Sequence, residues 1–313
     1  MFESQPATTN PAADLRAKNN WLTSFGRNEA SKAGEDGVLE KLFSILGVDK
    51  GWAVEFGAWD GMHLSNTWHL LVNRGWSGVM IEGDPLRFSA CQERFKANPT
   101  VHCFNHFVQF EGPHSVDGLL AAAGCPKEFA LISIDVDGND YHFWESLTQF
   151  HPKVVIIEFN PTIPNDVDWV QPKDPGLNQG ASLKALCRLG KQKGYELCCI
   201  TDKSAFFIAA QHFPLLNIAD NRPEAMRDDA PYLIRVFQGY DGTLIAHGLN
   251  RVVWHKLPFG PQALQILPSI FRQYPGNMPF WKRPLYRAYK WWIKRQAANI
   301  TPVSPADTAP KTS

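Results

Sequence analysis

The stretch Trp52-Ala-Val-Glu55-Phe-Gly57-Ala-Trp-Asp60-Gly61 decides the fold. Five mostly apolar residues run straight into an acid–glycine turn. A short continuous apolar run reads as a strand buried on both faces. Gly57 and Gly61 let the backbone turn tightly and come close to a ligand. The spacing is not the dinucleotide fingerprint, because GxGxxG is absent. An acid at the turn repels a pyrophosphate and favours a cationic or hydroxyl-bearing ligand.

Outward from this stretch, apolar strands and helical periodicities alternate. Val38 to Leu46 has helical spacing behind Gly34-Glu35-Asp36-Gly37. Residues 65–74 read as helix, Ser77–Ile81 as a second strand and 86–97 as helix. Further strands are expected at Val101–Val108, Ala130–Ile134 and Val154–Ile157, with a helix beginning near Asn139 or Asp140. Residues 161–180 form a Pro/Asp/Asn-rich loop, 181–194 a helix, and Glu196–Ile200 with Ala205–Ile208 a hairpin. Strands buried on both faces and separated by helices give an α/β sandwich with a mainly parallel sheet. Ligands bind such sheets beyond the carboxyl ends of the strands. Polar residues cluster there, at Glu55–Gly61, Glu82–Asp84, Asp135–Asp140 and Glu158–Asn160.

Each cluster suggests chemistry. Glu82, ending the second strand, is placed to accept hydrogen bonds from both hydroxyls of a ribose. Asp84, before Pro85, serves as a helix N-cap or as a further ligand contact. Asp135 and Asp137 alternate on a strand end and so are expected on one face. Such a pair can bind a divalent metal, orient a cationic cofactor or hold a substrate hydroxyl. Asp140 can equally cap the next helix.

Glu55-x-Gly57-x-x-x-Gly61, Ile81-Glu82-Gly83-Asp84-Pro85, Ser133-Ile-Asp135-Val-Asp137-Gly-Asn139-Asp140-Tyr141 and Val155-Ile-Ile-Glu158, in this order, resemble the FkbM-type class I S-adenosylmethionine methyltransferases over about residues 30–210. The resemblance implies a Rossmann-like class I methyltransferase sandwich, mainly parallel with a C-terminal antiparallel hairpin. It implies S-adenosyl-L-methionine as cofactor, with Glu55, Gly57 and Gly61 facing its methionine part and Glu82 its ribose; Asp60, Asp84 and Asp135 are further candidates to line that site. It also implies O-methylation of a hydroxyl on a sugar or other small molecule. A hydroxyl acceptor needs a base, and Asp135, Asp137 and His142 are the nearest candidates. No metal is called for. The usual adenine-reading acid after the third strand is missing, and Asn105 or His106 stands in its place. A nicotinamide-dependent oxidoreductase is the alternative enzyme reading, against which the missing GxGxxG counts. A catalytically degenerate, membrane-associated binding module is the non-enzymatic one.

Charge divides the chain. Of its 313 residues, 1–241 carry 21 basic and 30 acidic side chains, whereas 242–306 carry nine basic and no acidic ones. The neutral total excludes a generic polyanion binder. The run 281–296, WKRPLYRAYKWWIKRQ, sets Arg283, Arg287, Lys290 and Lys294 on one side of a helix and Leu285, Ala288, Tyr289 and Trp292 on the other. This predicts a helix that packs on the domain or lies on a membrane surface, with nucleic acid a weaker fit. Arg251 to His255 reads as a strand and turn beyond the core. Six cysteines without a CxxC pair are expected to be buried thiols of a reducing compartment. No apolar stretch reads as a secretory signal or a membrane span. The expected location is cytoplasmic, either free or peripheral to the inner face of a membrane. The expected divisions are a disordered leader at 1–25, the catalytic domain at 26–240, an extension at 241–296 and a disordered tail at 297–313.

Overall fold

The computed structural model describes residues 10–258 and 260–297. The chain divides into two compact units that meet at Asp228 and Asp229.

The first unit holds one seven-stranded sheet. Its strands are β1 (Trp52–Phe56), β2 (Ser77–Glu82), β3 (Val101–Asn105), β4 (Glu128–Ile134), β5 (His151–Glu158), β6 (Tyr195–Ile200) and β7 (Ser204–Ala209). They lie in the order β3-β2-β1-β4-β5-β7-β6. Neighbours among β1 to β5 are parallel, and β7 runs antiparallel to both β5 and β6. This is the mainly parallel Rossmann-like sandwich with an antiparallel hairpin that the sequence predicts. The hairpin returns on itself, so β7 is inserted between β5 and β6.

Side-chain alternation sorts the strands between two cores. Val54, Phe56, Ile132, Ile134, Val155 and Ile157 face one core, which is closed by α4 (Val116–Ala122), α5 (Asp140–Ser146) and α6 (Leu183–Gln192). Ala53, Met80, Leu131, Val154 and Ile156 face the other, closed by α2 (Glu35–Leu46) and α3 (Pro85–Phe95). A bulge between Leu197 and Cys199 puts two successive cysteines, Cys198 and Cys199, into the second core. All six cysteines are free thiols. The helix α4 lies in 109–129, a stretch for which the sequence predicts no element. Its seven residues include Gly118, and it starts on Ser115, whose hydroxyl accepts the Gly118 N–H at 3.2 Å. Of the helix expected at 65–74, the structure forms a single wide π-helical turn over His69–Asn73.

The expected leader is partly structured. Residues 1–9 lie outside the described residues. Residues 10–25 form α1 (Pro11–Asn19) and a 3-10 turn over Trp21–Phe25. Leu22 is completely buried in the second core, a contribution of about 1.5–3 kcal/mol. Asn20 donates its Nδ2 to the Ile200 carbonyl at 2.8 Å, and its Oδ1 accepts the Ile200 N–H at 3.0 Å. Asn19 reaches the Ala225 carbonyl in the short helix α7 (Pro223–Met226), and Trp21 reaches the Leu216 carbonyl. Composition reads this segment as loop because its anchors are amides, and the amides here satisfy backbone groups at the end of a sheet-edge strand.

The boundary between units falls at 228/229 and not near 240. A cut at 240 would split a hairpin in the second unit formed by β8 (Ile234–Gln238) and β9 (Leu244–Gly248). Its turn is closed by the Gly239 N–H on the Thr243 carbonyl and by Asp241, which accepts from the Thr243 N–H and hydroxyl. After it come the short pair β10 (Arg251–Val252) and β11 (Leu257–Pro258), then α8 (Arg283–Ala297). The tail expected at 297–313 lies, past Ala297, outside the described residues. No described helix is long and apolar enough to cross a membrane.

Candidate active site

The carboxyl ends of β1, β2, β4 and β5 meet along one rim. Gly57 leaves β1 with φ +72°, and the Gly57 and Ala58 N–H groups both donate to the Ile81 carbonyl at 3.1 Å. A Cβ on Gly57 would stand 2.1 Å from the Asp135 carbonyl oxygen, so only glycine lets the β1 and β4 turns touch. Gly61 has φ +77°, and a Cβ there would lie 2.7 Å from the Phe95 ring. Trp59 also takes a left-handed conformation, φ +49°, and its ring lies under the Arg87 guanidinium at 3.5 Å.

Glu55 faces inward. Its carboxylate accepts the Ser65 hydroxyl, the Thr67 hydroxyl at 2.7 Å and the Asn66 N–H at 2.8 Å. Burial pushes this carboxyl up to about 7, against the pull of Ser65, Thr67 and Asn66. Glu55 thus shapes the loop after β1, and Asn66 in turn donates to Ser133 on β4. Asp60, expected to line a cofactor site, is committed to its own turn. Its Oδ1 accepts the Met62 and His63 N–H groups, and its Oδ2 lies 2.9 Å from Arg94 Nη2. Burial would raise this carboxyl, but the His63 and Met62 amides and Arg94 prevail and hold it low.

Glu82 bridges two turns. Oε2 accepts the Trp59 N–H and Oε1 the Asp84 N–H, both at 2.8 Å. Each carboxylate oxygen keeps a second lone pair. Asp84 is the N-cap of α3, accepting the Leu86 and Arg87 N–H groups through Oδ1. Asn105, expected to face an adenine, instead donates to the Glu82 and Gly83 carbonyls. His106 stacks on His114 at 4.1 Å. Phe107 is the residue that sequence reading missed: it is 79% exposed, yet its ring covers Gly83 so closely that a Cβ there would overlap it.

The acids after β4 converge by a different route from strand alternation. β4 ends at Ile134, and Asp137 adopts φ +57°. The chain therefore turns, and Asp140 holds the turn by accepting the Val136 and Gly138 N–H groups at 2.9 Å. Carboxylate oxygens of Asp135, Asp137 and Glu158 come within 4.8 Å of one another. Asp135 and Glu158 are hydrogen bonded. Burial, then the charges of Asp135 and Asp140, push Glu158 up to about 9. Burial, then Asp135, push Asp140 up to about 7. Burial also raises Asp135, with Lys32 opposing and Asp137 adding to the rise. Burial and the neighbouring acids thus favour the protonated form of Glu158.

Lys32 places its Nζ 4.0 Å from Asp135 Oδ2. Its position follows from the Gly34-Glu35-Asp36-Gly37 stretch. Asp36 Oδ2 accepts the Glu29, Ala30 and Ser31 N–H groups, and Glu35 accepts the Ala33 N–H. These bonds fold residues 29–33 into a loop that presents Lys32 to the rim. The motif was the signal for this residue, though it lies two positions before it.

His142 is expected at the rim as a base, and the structure revises that. It sits in the first turn of α5, largely buried. Its Nε2 lies 2.9 Å from the Gln171 carbonyl and so donates, while Nδ1 has no hydrogen-bond partner and is closed from solvent. The loop 161–180 packs over the acidic turn. Asn139 donates to the Asp174 carbonyl, and Asn178 donates to the Asp137 carbonyl. Gln171 ties the loop to itself by accepting the Gln179 and Gly180 N–H groups.

The rim thus carries crowded carboxyls whose burial and mutual repulsion a cation would relieve. It also carries a bridging carboxylate at Glu82 with lone pairs to spare, and an exposed ring beside it. No protein-family model matches the chain, and no curated protein matches it. Solved structures do resemble it. A putative O-methyltransferase from Klebsiella pneumoniae is 14% identical over 65% of this chain and 91% of its own, with a TM-score of 0.36. A SAM dependent methyltransferase from Aquifex aeolicus is 9% identical over 64% of this chain and 100% of its own, with a TM-score of 0.35. Monomeric WbdD is 15% identical over 65% of this chain, with a TM-score of 0.35, and the match spans 42% of that longer protein. Likenesses this distant say nothing of ligand or acceptor, and those rest on the rim residues themselves.

Proposed function

We propose that this chain is an S-adenosylmethionine-dependent methyltransferase that methylates a hydroxyl of a sugar or other small molecule. The observation that carries the reading is the rim itself: Glu82 and the Asp135–Asp137–Glu158 cluster flank the Gly57–Gly61 turn at the carboxyl edge of a parallel sheet. Vicinal ribose hydroxyls suit the free lone pairs of Glu82. An adenine ring suits the exposed face of Phe107 beside Gly83. A sulfonium and an ammonium suit the crowded carboxyls, which burial first and neighbouring acids second push above the ordinary carboxylate range.

When bound, such a cofactor supplies an electrophilic methyl group, and the displacement forms an O–C bond as the S–C bond breaks. The chain supplies orientation and a proton acceptor. Asp137 is exposed at the turn and takes the acceptor hydroxyl's proton. Asp135, fixed by Lys32 and Glu158, orients the charged ligand. The 161–180 loop steadies the same turn through the Asn139 and Asn178 amides.

Isothermal calorimetry with S-adenosylmethionine and its demethylated product tests the reading. The full chain should bind one or both at micromolar Kd. Glu82→Ala should weaken binding at least about tenfold, the worth of one good hydrogen bond to a charged group. A melting curve on the same samples separates this from loss of the turn that Glu82 also holds. Wild-type affinity in the variant removes the ribose assignment, and no binding by the wild type removes the whole reading.

A further inference from the structure

The second unit carries a surface that methyl transfer does not use. Its last helix, α8, rests on the unit through one side. Tyr286 and Tyr289 each pack at 5.7 Å against the buried Phe271, and the Tyr289 hydroxyl donates to the Ile266 carbonyl. The inward face is thus the tyrosine stripe, and not the Leu285–Trp292 side. Arg287, Lys290 and Lys294 form an exposed ridge on one flank, within an arc of about 60° at 3.6 residues per turn. Farther round the helix Trp291 is 61% exposed, with Arg295 4.8 Å over its ring, and Leu285 and Trp292 are also about half exposed. In the turn that leads into the helix, Phe280 is 82% and Trp281 55% exposed.

Single exposed apolar side chains are ordinary, but this many large aromatics beside a basic ridge on one helix and its lead-in are not. From 242 to 306 the sequence offers no acid to neutralise the ridge. We infer that the α8 face docks on an anionic lipid bilayer surface, with Trp281, Trp291, Trp292 and Leu285 entering the headgroup–acyl boundary and Arg287, Lys290 and Lys294 meeting lipid phosphates. Aromatic rings that carry a polar N–H favour that boundary, and basic side chains favour its anionic headgroups. A nucleic-acid partner fits less well, because Arg295 already lies over the Trp291 ring on which a base would stack. This inference stands independently of the methyl-transfer reading.

Flotation of the full chain with vesicles tests it. The chain should float with phosphatidylcholine vesicles containing one-third phosphatidylglycerol and stay behind with phosphatidylcholine alone, and raised salt should release it. The triple variant Arg287→Gln, Lys290→Gln, Lys294→Gln should lower the partition coefficient about 100-fold, at about fivefold for each charge removed. Trp291→Ala with Trp292→Ala should lower it with the charges intact. All five side chains are exposed, and unchanged melting curves would show that the variants fold. Equal flotation of the triple variant and the wild type overturns the inference, as does failure of the wild type to float. Tighter binding of a single-stranded RNA than of the anionic vesicles overturns the choice of lipid.

Discussion

Replacing Glu158 by Gln should make the protein more stable at neutral pH. Glu158 is mostly buried, is hydrogen bonded to Asp135, and has its proton affinity raised from an ordinary 4.5 to about 9. A carboxyl raised on folding binds its proton more tightly in the folded state. Its stabilising effect is complete below about pH 4.5 and is lost as pH climbs toward 9. At pH 7 the loss is about 3 kcal/mol, and at pH 5 it is under about 1 kcal/mol. Glutamine has the shape of the protonated acid, can still donate to Asp135, and does not titrate. The advantage of Glu158→Gln over wild type should therefore grow by about 2 kcal/mol between pH 5 and pH 7. Urea unfolding of the ligand-free protein, followed by far-ultraviolet circular dichroism at four pH values over this range, measures it directly. An advantage that stays constant with pH would refute the reasoning. So would a variant less stable than wild type at pH 7, because it would mean that Glu158 is ionised there and well partnered.

Leu22→Ala should destabilise the α/β unit by about 2–5 kcal/mol, the range for emptying a core leucine site; a loss under about 1 kcal/mol in the same urea assay would show that residues 10–25 are not packed as described. Gly57→Ala combines a left-handed φ with a Cβ 2.1 Å from the Asp135 carbonyl. It should cost about 3 kcal/mol from strain and overlap together, or a fall in Tm of about 6–12 °C; a Tm within about 2 °C of wild type would show that the two turns do not touch.

The sheet was legible because its strands are apolar on both faces. Ala53 and Val54 point to opposite cores and are both fully buried, so each strand appears in the sequence as an unbroken run. The N-terminal helix was not, because its seat is made by Asn19, Asn20 and Trp21 through hydrogen bonds to residues about 180–206 positions away. Composition weighs asparagine as loop, and no local pattern encodes so distant a partner. At the rim, glycine spacing and strand-end acids drew attention to Glu82, Asp135 and Asp137. What stayed hidden was which way each group faces. Glu55 and Asp60 have the same charge as Glu82, but Ser65, Asn66 and Thr67 draw the first inward and Arg94 holds the second. Lys32 and Phe107 carry no motif of their own and reach the rim only because Asp36 folds one loop and Gly83 leaves room for the other side chain.

The clasp between Asn20 and Ile200 bears on how the chain is made. Residues 10–25 leave the ribosome long before β6 exists, and at about 5–20 residues per second the interval is roughly 10–35 s. Through that time Leu22 has no complete core to enter and the asparagines have no strand end to close. This helix, made well before the strand end it closes, is thus among the last to dock. Until it docks, the nascent protein displays an apolar patch and the unpaired Ile200 backbone groups at the end of β6, features that chaperones hold and that neighbouring nascent chains pair with.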